Sequence, residues 1–196
     1  HHAHTISPTT ENAEESKNMD AVGIILSGGP LSVADADAYS IDPEIFSAGI
    51  PILGICYGTQ LIVKHFGGKS ENLSARTHSK EQISVTTTST LFAGQPELQD
   101  VWLSHGDRIT ALPEDFLTYG SGVECEIAAI GNDERKIYGV QYHPEVHHSE
   151  HGLDFLRHFI FDICEAKDDW SMASFVEIEV EKIPAKIGRA RCRETV

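Results

Sequence analysis

The sequence predicts an α/β fold: an open, mostly parallel sheet flanked by helices, with a small antiparallel sheet attached. Three observations lead there. Two short apolar runs, at residues 22–26 and 50–55, each stop at a glycine-bearing turn, the pattern of strands buried on both faces of a parallel sheet. The second run passes directly into residues with helical spacing, so it reads as strand, tight turn, helix. A middle stretch rich in Val, Thr, Trp and Leu, residues 81–103, has the composition of antiparallel strands.

Taken in order, residues 1–20 are polar and rich in His, Thr, Glu, Asn and Ser, which suits a loosely held segment. His1, His2 and His4 there read as a mobile end or tag remnant sooner than as a metal site. Residues 21–170 form the expected domain. Val22, Ile24, Ile25 and Leu26 make a strand running into Ser27-Gly28-Gly29-Pro30. The strand at 50–55 ends at Cys56-Tyr57-Gly58, and Leu61, Ile62 and His65 lie on a helix that Gly67-Gly68 stops. The turn Ala93-Gly94-Gln95-Pro96 breaks the middle stretch. Residues 127–130 and 137–140 flank Asn132-Asp133-Glu134-Arg135 as a hairpin. Apolar residues at 153, 156, 159, 160 and 163 mark a helix over 153–164 that packs on the sheet. Residues 171–196, an acidic and apolar repeat followed by a basic tail, read as a linker. No repeat of solenoid or propeller length occurs.

Composition narrows the function classes. With 196 residues the chain is long enough for one domain with a real core. Fifteen basic residues against thirty acidic ones give a formal charge of −15, which repels phosphate backbones and anionic membranes. No apolar stretch approaches the roughly 18–20 residues that cross a bilayer, and the polar N-terminus lacks a secretory pattern. The expectation is a soluble, cytoplasmic protein without nucleic-acid or membrane partners. Cys56, Cys125, Cys164 and Cys192 show no Cys-x-x-Cys spacing, so neither a zinc ribbon nor a disulfide framework is indicated.

Three segments carry chemistry. Cys56 stands at a strand-to-helix turn, where the sulfur is presented and the helix N-terminus favours a thiolate. Gly54 and Gly58 allow the close-packed turn that holds nucleophiles in parallel-sheet hydrolases. Gly-x-Cys-x-Gly alone fits a buried structural cysteine equally well. His143-Pro144-Glu145 follows a strand, and residues two apart in an extended chain point to the same side. A carboxylate there fixes the tautomer of an imidazole and stabilises its charged form. Alone, His-x-Glu reads as a surface pair. Ser27-Gly28-Gly29-Pro30 lets backbone approach a ligand and offer N–H groups to an oxyanion. Together the three supply a nucleophile, an acid/base partner with its orienting group, and oxyanion donors, at the strand ends where open α/β sheets place their sites.

Gly54-Ile55-Cys56-Tyr57-Gly58-Thr59-Gln60, Ser104-His105-Gly106-Asp107 and Val140-Gln141-Tyr142-His143-Pro144-Glu145-Val146 resemble the three signature segments of class I glutamine amidotransferases, in order and spacing. Within that class, Ile25-Leu26-Ser27-Gly28-Gly29-Pro30 and the Ile-Cys-Tyr-Gly wording are similar to amidotransferase domains of the GMP synthase family. The resemblance covers roughly residues 21–184. It implies a flavodoxin-like sheet, Cys56 as nucleophile, His143 as acid and base, and Glu145 holding its ring. The N–H groups of Gly29 and Tyr57 would form the oxyanion hole. Gln60, Ser104, His105, Gly106 and Asp107 would hold the amino-acid end of glutamine. No metal or cofactor is implied for this chain. ATP and Mg²⁺ would serve only an ATP-pyrophosphatase, XMP-aminating domain or subunit, the implied partner.

The sequence also departs from the family pattern. The strand and helix that ordinarily precede the run at 22–26 have no counterpart in residues 1–20, which leaves a central strand unpaired and its groups exposed. No Ser-Gly-Gly-x-Asp-Ser phosphate loop follows residues 175–183. His147, His148 and His151 add histidines after Glu145, read as solvated. Arg76 stands where the family often carries arginine, among different neighbours. Two competing functions follow: a hydrolase of the same fold acting on a gamma-glutamyl peptide, and a non-catalytic or partner-dependent fragment. Gln60 and the Ser-His-Gly-Asp segment favour glutamine over the first, and retention of Cys56, His143 and Glu145 together argues against the second.

Overall fold

The computed structural model describes residues 20–29, 31–35, 38–39 and 41–167, and for residues 74–78, 104 and 105 the backbone alone. The sequence readings on the N-terminal histidines, the linker and Cys192 lie outside the described residues. The chain divides into two units, 5–166 and a second joining 1–4 with 167–196, and the first holds every described strand and helix. In chain order the strands are β1 (Ile24–Leu26), β2 (Ile52–Ile55), β3 (Lys69–Val85), β4 (Leu98–Ala111), β5 (Leu117–Gly122), β6 (Ala129–Asn132) and β7 (Ile137–Val140). The helices are α1 (Tyr57–His65) and α2 (Gly152–Arg157), the latter continuing as a π-helix over His158–Ile163. A 3-10 turn, Pro43–Ser47, precedes β2, capped by the Asp42 carboxylate accepting from the Glu44 N–H at 3.0 Å. No helix among the described residues is long and apolar enough to cross a membrane.

The strands make one sheet in the order β1-β2-β7-β6-β5-β3-β4. β1, β2 and β7 are parallel, with Leu26 opposite Gly54 and Ile55 opposite Val140. The α/β class is as the sequence predicts, and the antiparallel strands continue the same sheet through the β6–β7 hairpin. That hairpin closes over Asn132-Asp133-Glu134-Arg135, where the Asn132 side chain accepts from the Arg135 N–H at 3.0 Å. β1 forms the edge of the described sheet, with Ile25 43% exposed.

Side-chain alternation builds a core on each face. Leu53, Ile55, Tyr138 and Val140 join Phe155 and Phe159 in one cluster, while Ile52 and Ile137 join Ile62 and Val63 of α1 in another. Residues adjacent along a strand thus face opposite layers, with α1 on one side and α2 on the other. Burial of a side chain such as Leu53 or Ile62 contributes about 1.5–3 kcal/mol, so the apolar runs are the main force placing the strands.

Two expectations need correction. The pattern over 153–164 put Leu153 on the buried face, but Leu153 is 74% exposed and Phe155 is buried instead, while Phe159 and Ile163 are buried as expected. Ring contacts decide the phase: Phe155 lies 5.5 Å from Phe92 and 6.1 Å from Tyr142, and the π-turn, with Cys164 N–H donating to the Phe159 carbonyl at 2.9 Å, brings Ile163 onto the same side. The antiparallel strands also reach beyond 81–103. The polar first half of β3 carries no apolar alternation and is held by backbone pairing to β4, with register shifts after Lys69 and after Asn72.

The turn between β2 and α1 leaves no room for side chains at two positions. A Cβ at Gly54 would stand 2.6 Å from the Thr59 nitrogen, and one at Gly58 would overlap the Leu26 carbonyl of β1. Gly58→Ala should therefore destabilise the fold by about 1–3 kcal/mol or more, read as a lowered urea midpoint. An unchanged midpoint would show that β1 does not lie against this turn.

Candidate active site

Cys56 sits between β2 and α1 with φ 51° and ψ −103°, a left-handed backbone that costs a non-glycine residue about 1–3 kcal/mol. The surroundings enforce it. Cys56 N–H donates to the Val140 carbonyl at 2.8 Å, and the Cys56 carbonyl accepts from Gln60 N–H at 3.2 Å, starting the helix. Beneath the turn the buried Thr59 hydroxyl lies 2.7 Å from the Val140 carbonyl and 3.0 Å from that of Gly54, binding the ends of β2 and β7 together. The result is a nucleophile elbow, with the sulfur at the carboxyl end of a central parallel strand.

His143 follows β7 by three residues. Its backbone N–H donates to the Trp102 carbonyl at 3.0 Å, and its own carbonyl accepts from the Ser149 hydroxyl at 2.6 Å. Trp102 N–H donates back to the same hydroxyl at 3.1 Å, so β4 and Ser149 fix the histidine's position. His143 Nδ1 donates to Glu145 Oε1 at 2.6 Å, leaving the other ring nitrogen for the Cys56 sulfur, to which the ring is also hydrogen-bonded. These bonds, to Cys56 first and Glu145 second, outweigh burial and push the His143 pKa up to about 10. Burial of Glu145 opposes its ionisation, yet its bond from His143 leaves its pKa below the usual value. The His143 ring thus lies between a sulfur and a carboxylate, and both favour its charged form. Gly28 lies against both side chains: a Cβ there would stand 3.0 Å from the His143 ring and 3.7 Å from Cys56 Cβ. Gly29 lies over the Tyr57 ring, 3.4 Å by the same measure, and Tyr57 donates its hydroxyl to the Tyr39 carbonyl at 3.1 Å. Tyr57 is the first residue of α1, where an N–H has no partner within the helix.

Gln60 is buried one turn into α1. Its side-chain N–H₂ donates to Gln141 Oε1 at 2.6 Å and to the Asp107 carbonyl at 3.4 Å, and Gln141 Nε2 donates to that same carbonyl at 3.4 Å. Gln60 Oε1 is buried without a partner among the described residues. The Asp107 carboxylate turns away from this amide pair toward Ser32, Val33 and Asn72. Ser104 and His105 lie on β4, backbone opposite His78 and Thr77, and Gly106 follows on the same strand. The side chains of Ser104, His105 and Arg76 lie outside the described residues. His147 and His148 are exposed, and His148 stacks on Trp102 with ring centroids 4.8 Å apart. The sequence reading omitted Ser32, Asn72, Thr59, Gln141 and Ser149. Gln141 stood inside a quoted segment, two residues before His143, and was the one recoverable from strand alternation.

Cys56 on its strained turn, His143 bonded to Glu145, and a glycine-rich turn facing both lie together at the ends of parallel strands of an α/β sheet. The family model for class I glutamine amidotransferases matches residues 2–163, and the chain belongs to that family. Among curated proteins, its relatives include the glutamine-hydrolysing GMP synthases of Bacillus cytotoxicus, 48% identical over 183 residues, and Enterococcus faecalis, 51% over 176. These alignments cover 93% and 90% of the chain but 36% and 34% of those proteins, so the chain spans about a third of their length. A solved structure from Thermoplasma acidophilum, assigned as one of the subunits of a GMP synthase, is 32% identical, covering 84% of this chain and 80% of that one with a TM-score of 0.63. A Thermotoga maritima glutamine amidotransferase, 20% identical with 86% and 74% covered and a TM-score of 0.58, shares the fold.

With its pKa raised, His143 holds its proton below about pH 10 and loses it above. Glu145→Gln removes the carboxylate charge that helps raise it, so the alkaline limb of the reaction with glutamine should move to lower pH. A pH–rate profile of the variant beside the native chain measures this, and a limb that stays in place would mean Glu145 does not set the proton affinity of His143.

Proposed function

We propose that this chain hydrolyses glutamine to glutamate and ammonia through a Cys56 thioester, and that the ammonia serves conversion of XMP to GMP by an ATP-pyrophosphatase domain or subunit. The observation that carries the reading is the line Cys56–His143–Glu145 at the ends of two adjacent parallel strands, with Gly28 and Gly29 across the cleft. The Cys56 sulfur attacks the side-chain carbonyl carbon of glutamine, and the oxygen's negative charge forms between the N–H groups of Gly29 and Tyr57. Collapse of this adduct breaks the C–N bond as His143 passes its proton to the leaving ammonia. Water then attacks the thioester while His143 takes a proton from it, and glutamate leaves as the sulfur is restored. Glu145 keeps the ring's orientation through both transfers. Gln60 Oε1, the buried acceptor, suits the α-ammonium of glutamine, and Gly106 precedes Asp107, whose carbonyl on β4 accepts from Gln60 Nε2. Ser104, His105, Gly106 and Asp107 belong to the proposed substrate-holding segment by their place on β4. These steps use side chains and backbone of the chain itself, while ATP and Mg²⁺ belong to the synthetase step in the partner.

Treatment with a glutamine-derived chloroketone, followed by mass spectrometry, tests this. A single adduct on Cys56, slowed by excess glutamine and absent from Cys56→Ala, is expected. Equal labelling of Cys125 and Cys164, whose thiols burial pushes up to about 12, or no adduct at all, would refute a working glutamine site. His143→Ala should slow the reaction by about 10²–10⁴-fold.

A further inference from the structure

β4 and the chain leaving β7 run antiparallel where they meet. Leu103 and Tyr142 are bridged, which sets Trp102 opposite His143. In the hydrogen-bonded pairs of a regular antiparallel ladder, the two residues exchange both N–H···O bonds. Here only one is direct: His143 N–H donates to the Trp102 carbonyl at 3.0 Å. In place of the other stands the Ser149 hydroxyl, which accepts from Trp102 N–H at 3.1 Å and donates to the His143 carbonyl at 2.6 Å. A hydroxyl both accepts and donates, so it satisfies the two groups while keeping them apart by the width of an oxygen. The serine is itself held, and only 7% exposed. Its N–H donates to the Val146 carbonyl at 3.1 Å, its carbonyl accepts from Gly152 N–H at 3.2 Å, and Glu150 N–H donates to the Asp100 carbonyl of β4 at 3.0 Å. A Cβ at Gly152 would overlap the Pro144 carbonyl, so the loop closes tightly on the segment that carries His143 and Glu145.

We infer that Ser149 is a positioning residue: its hydroxyl is a spacer in the pairing with β4 that holds the His143 main chain off Trp102 and so sets the reach of the His143 ring to Cys56 and Glu145. The inference rests on the proposed reading of His143 as the acid and base of the reaction. The ring bonds Glu145 Oε1 through Nδ1 at 2.6 Å and bonds Cys56 as well, which leaves its main chain little latitude. One loop thus supplies both constraints, Glu145 on the ring and Ser149 on the backbone. Without the hydroxyl, Trp102 N–H and the His143 carbonyl are complementary groups with nothing between them, and they can close on each other with donor and acceptor still paired. That closure draws the ring toward β4, and a misplacement of about 1 Å at a reacting group costs up to about a hundredfold in rate.

Spacing and stability therefore separate. Ser149→Ala is expected to slow labelling of Cys56 by the glutamine-derived chloroketone and by iodoacetamide about tenfold or more. Half-saturation by the chloroketone should stay within about twofold of native, since the substrate's own contacts are untouched, and the urea midpoint should stay close to native. Ser149→Thr, which keeps the hydroxyl, should restore most of the rate. Hydrogen exchange of the Trp102 amide should be no faster in Ser149→Ala, because that N–H passes from the hydroxyl to the carbonyl. A hydroxyl that only held the fold together would instead lower the midpoint and free the Trp102 amide. That result, native labelling rates in Ser149→Ala, or failure of that variant to fold would each overturn the inference. Iodoacetamide has no amino-acid end, so its rates report the Cys56–His143 pair alone. A native chain labelled by iodoacetamide but not by the chloroketone would remove the glutamine reading, and the iodoacetamide rates of the two variants would still decide the role of Ser149.

Discussion

The whole site depends on the left-handed backbone at Cys56. A cysteine at φ 51° is unstable on its own, and the surrounding sheet must hold it there. β1 supplies the Leu26 carbonyl against which only glycine fits at position 58, β7 supplies the Val140 carbonyl that receives the Cys56 N–H, and Thr59 binds the undersides of β2 and β7. The strain is stored in the turn and offset by strand burial on both faces, where Leu53, Ile62, Tyr138 and Val140 are all fully enclosed. The outcome is a sulfur at the top of the sheet, beside the start of α1, with no freedom to retreat into the core.

Because β7 pairs with β2 in register, the residue following its end arrives next to the elbow without a long connection. Val140 lies opposite Ile55, and three residues further on is His143. Register alone would bring the ring near the sulfur. Its angle is set by Trp102 and Ser149 at the backbone and Glu145 at Nδ1. Ser149 explains part of the histidine-rich loop: that segment returns a hydroxyl to the main chain of His143 and Trp102 while His147 and His148 face outward. The loop contributes geometry through its serine.

The elements that the sequence disclosed are those whose physics is local. Buried strands betray themselves as apolar runs, the elbow by its two glycines, and the β6–β7 hairpin by Asn132 and Asp133 between apolar flanks. The candidate line Cys56–His143–Glu145 was legible because its members sit at the ends of such elements. What the sequence did not disclose is contact across long separations. Nothing near Ser32 indicates that its hydroxyl meets a carboxylate 75 positions later, and nothing in Gln141 indicates Gln60. The first half of β3 has no apolar alternation because backbone pairing holds it, and the final helix keeps its expected face at Phe159 and Ile163 but not at its start, where rings at Phe92 and Tyr142 draw in Phe155 and leave Leu153 exposed.

The buried polar groups show how such a site reconciles rigidity with recognition. Removing an amide or carboxylate from water costs more than it returns unless a partner is found. Asp107, Gln141 and Thr59 each find theirs on another part of the chain, so these hydrogen bonds tie β4 to β3 and to the 31–35 loop, and α1 to the ends of β2, β4 and β7. Of the buried amide and carboxylate atoms in this cluster, Gln60 Oε1 alone lacks a partner among the described residues. On the proposed reading, that deficit is what glutamine relieves: an ammonium delivered to Gln60 Oε1 completes the network, and a ligand without one leaves the acceptor buried and unsatisfied. On that reading, selectivity for an amino-acid substrate follows from the same hydrogen-bond accounting that holds the fold together, because the one acceptor left open in the cluster belongs to an amide whose nitrogen is already held by Gln141 and the Asp107 carbonyl.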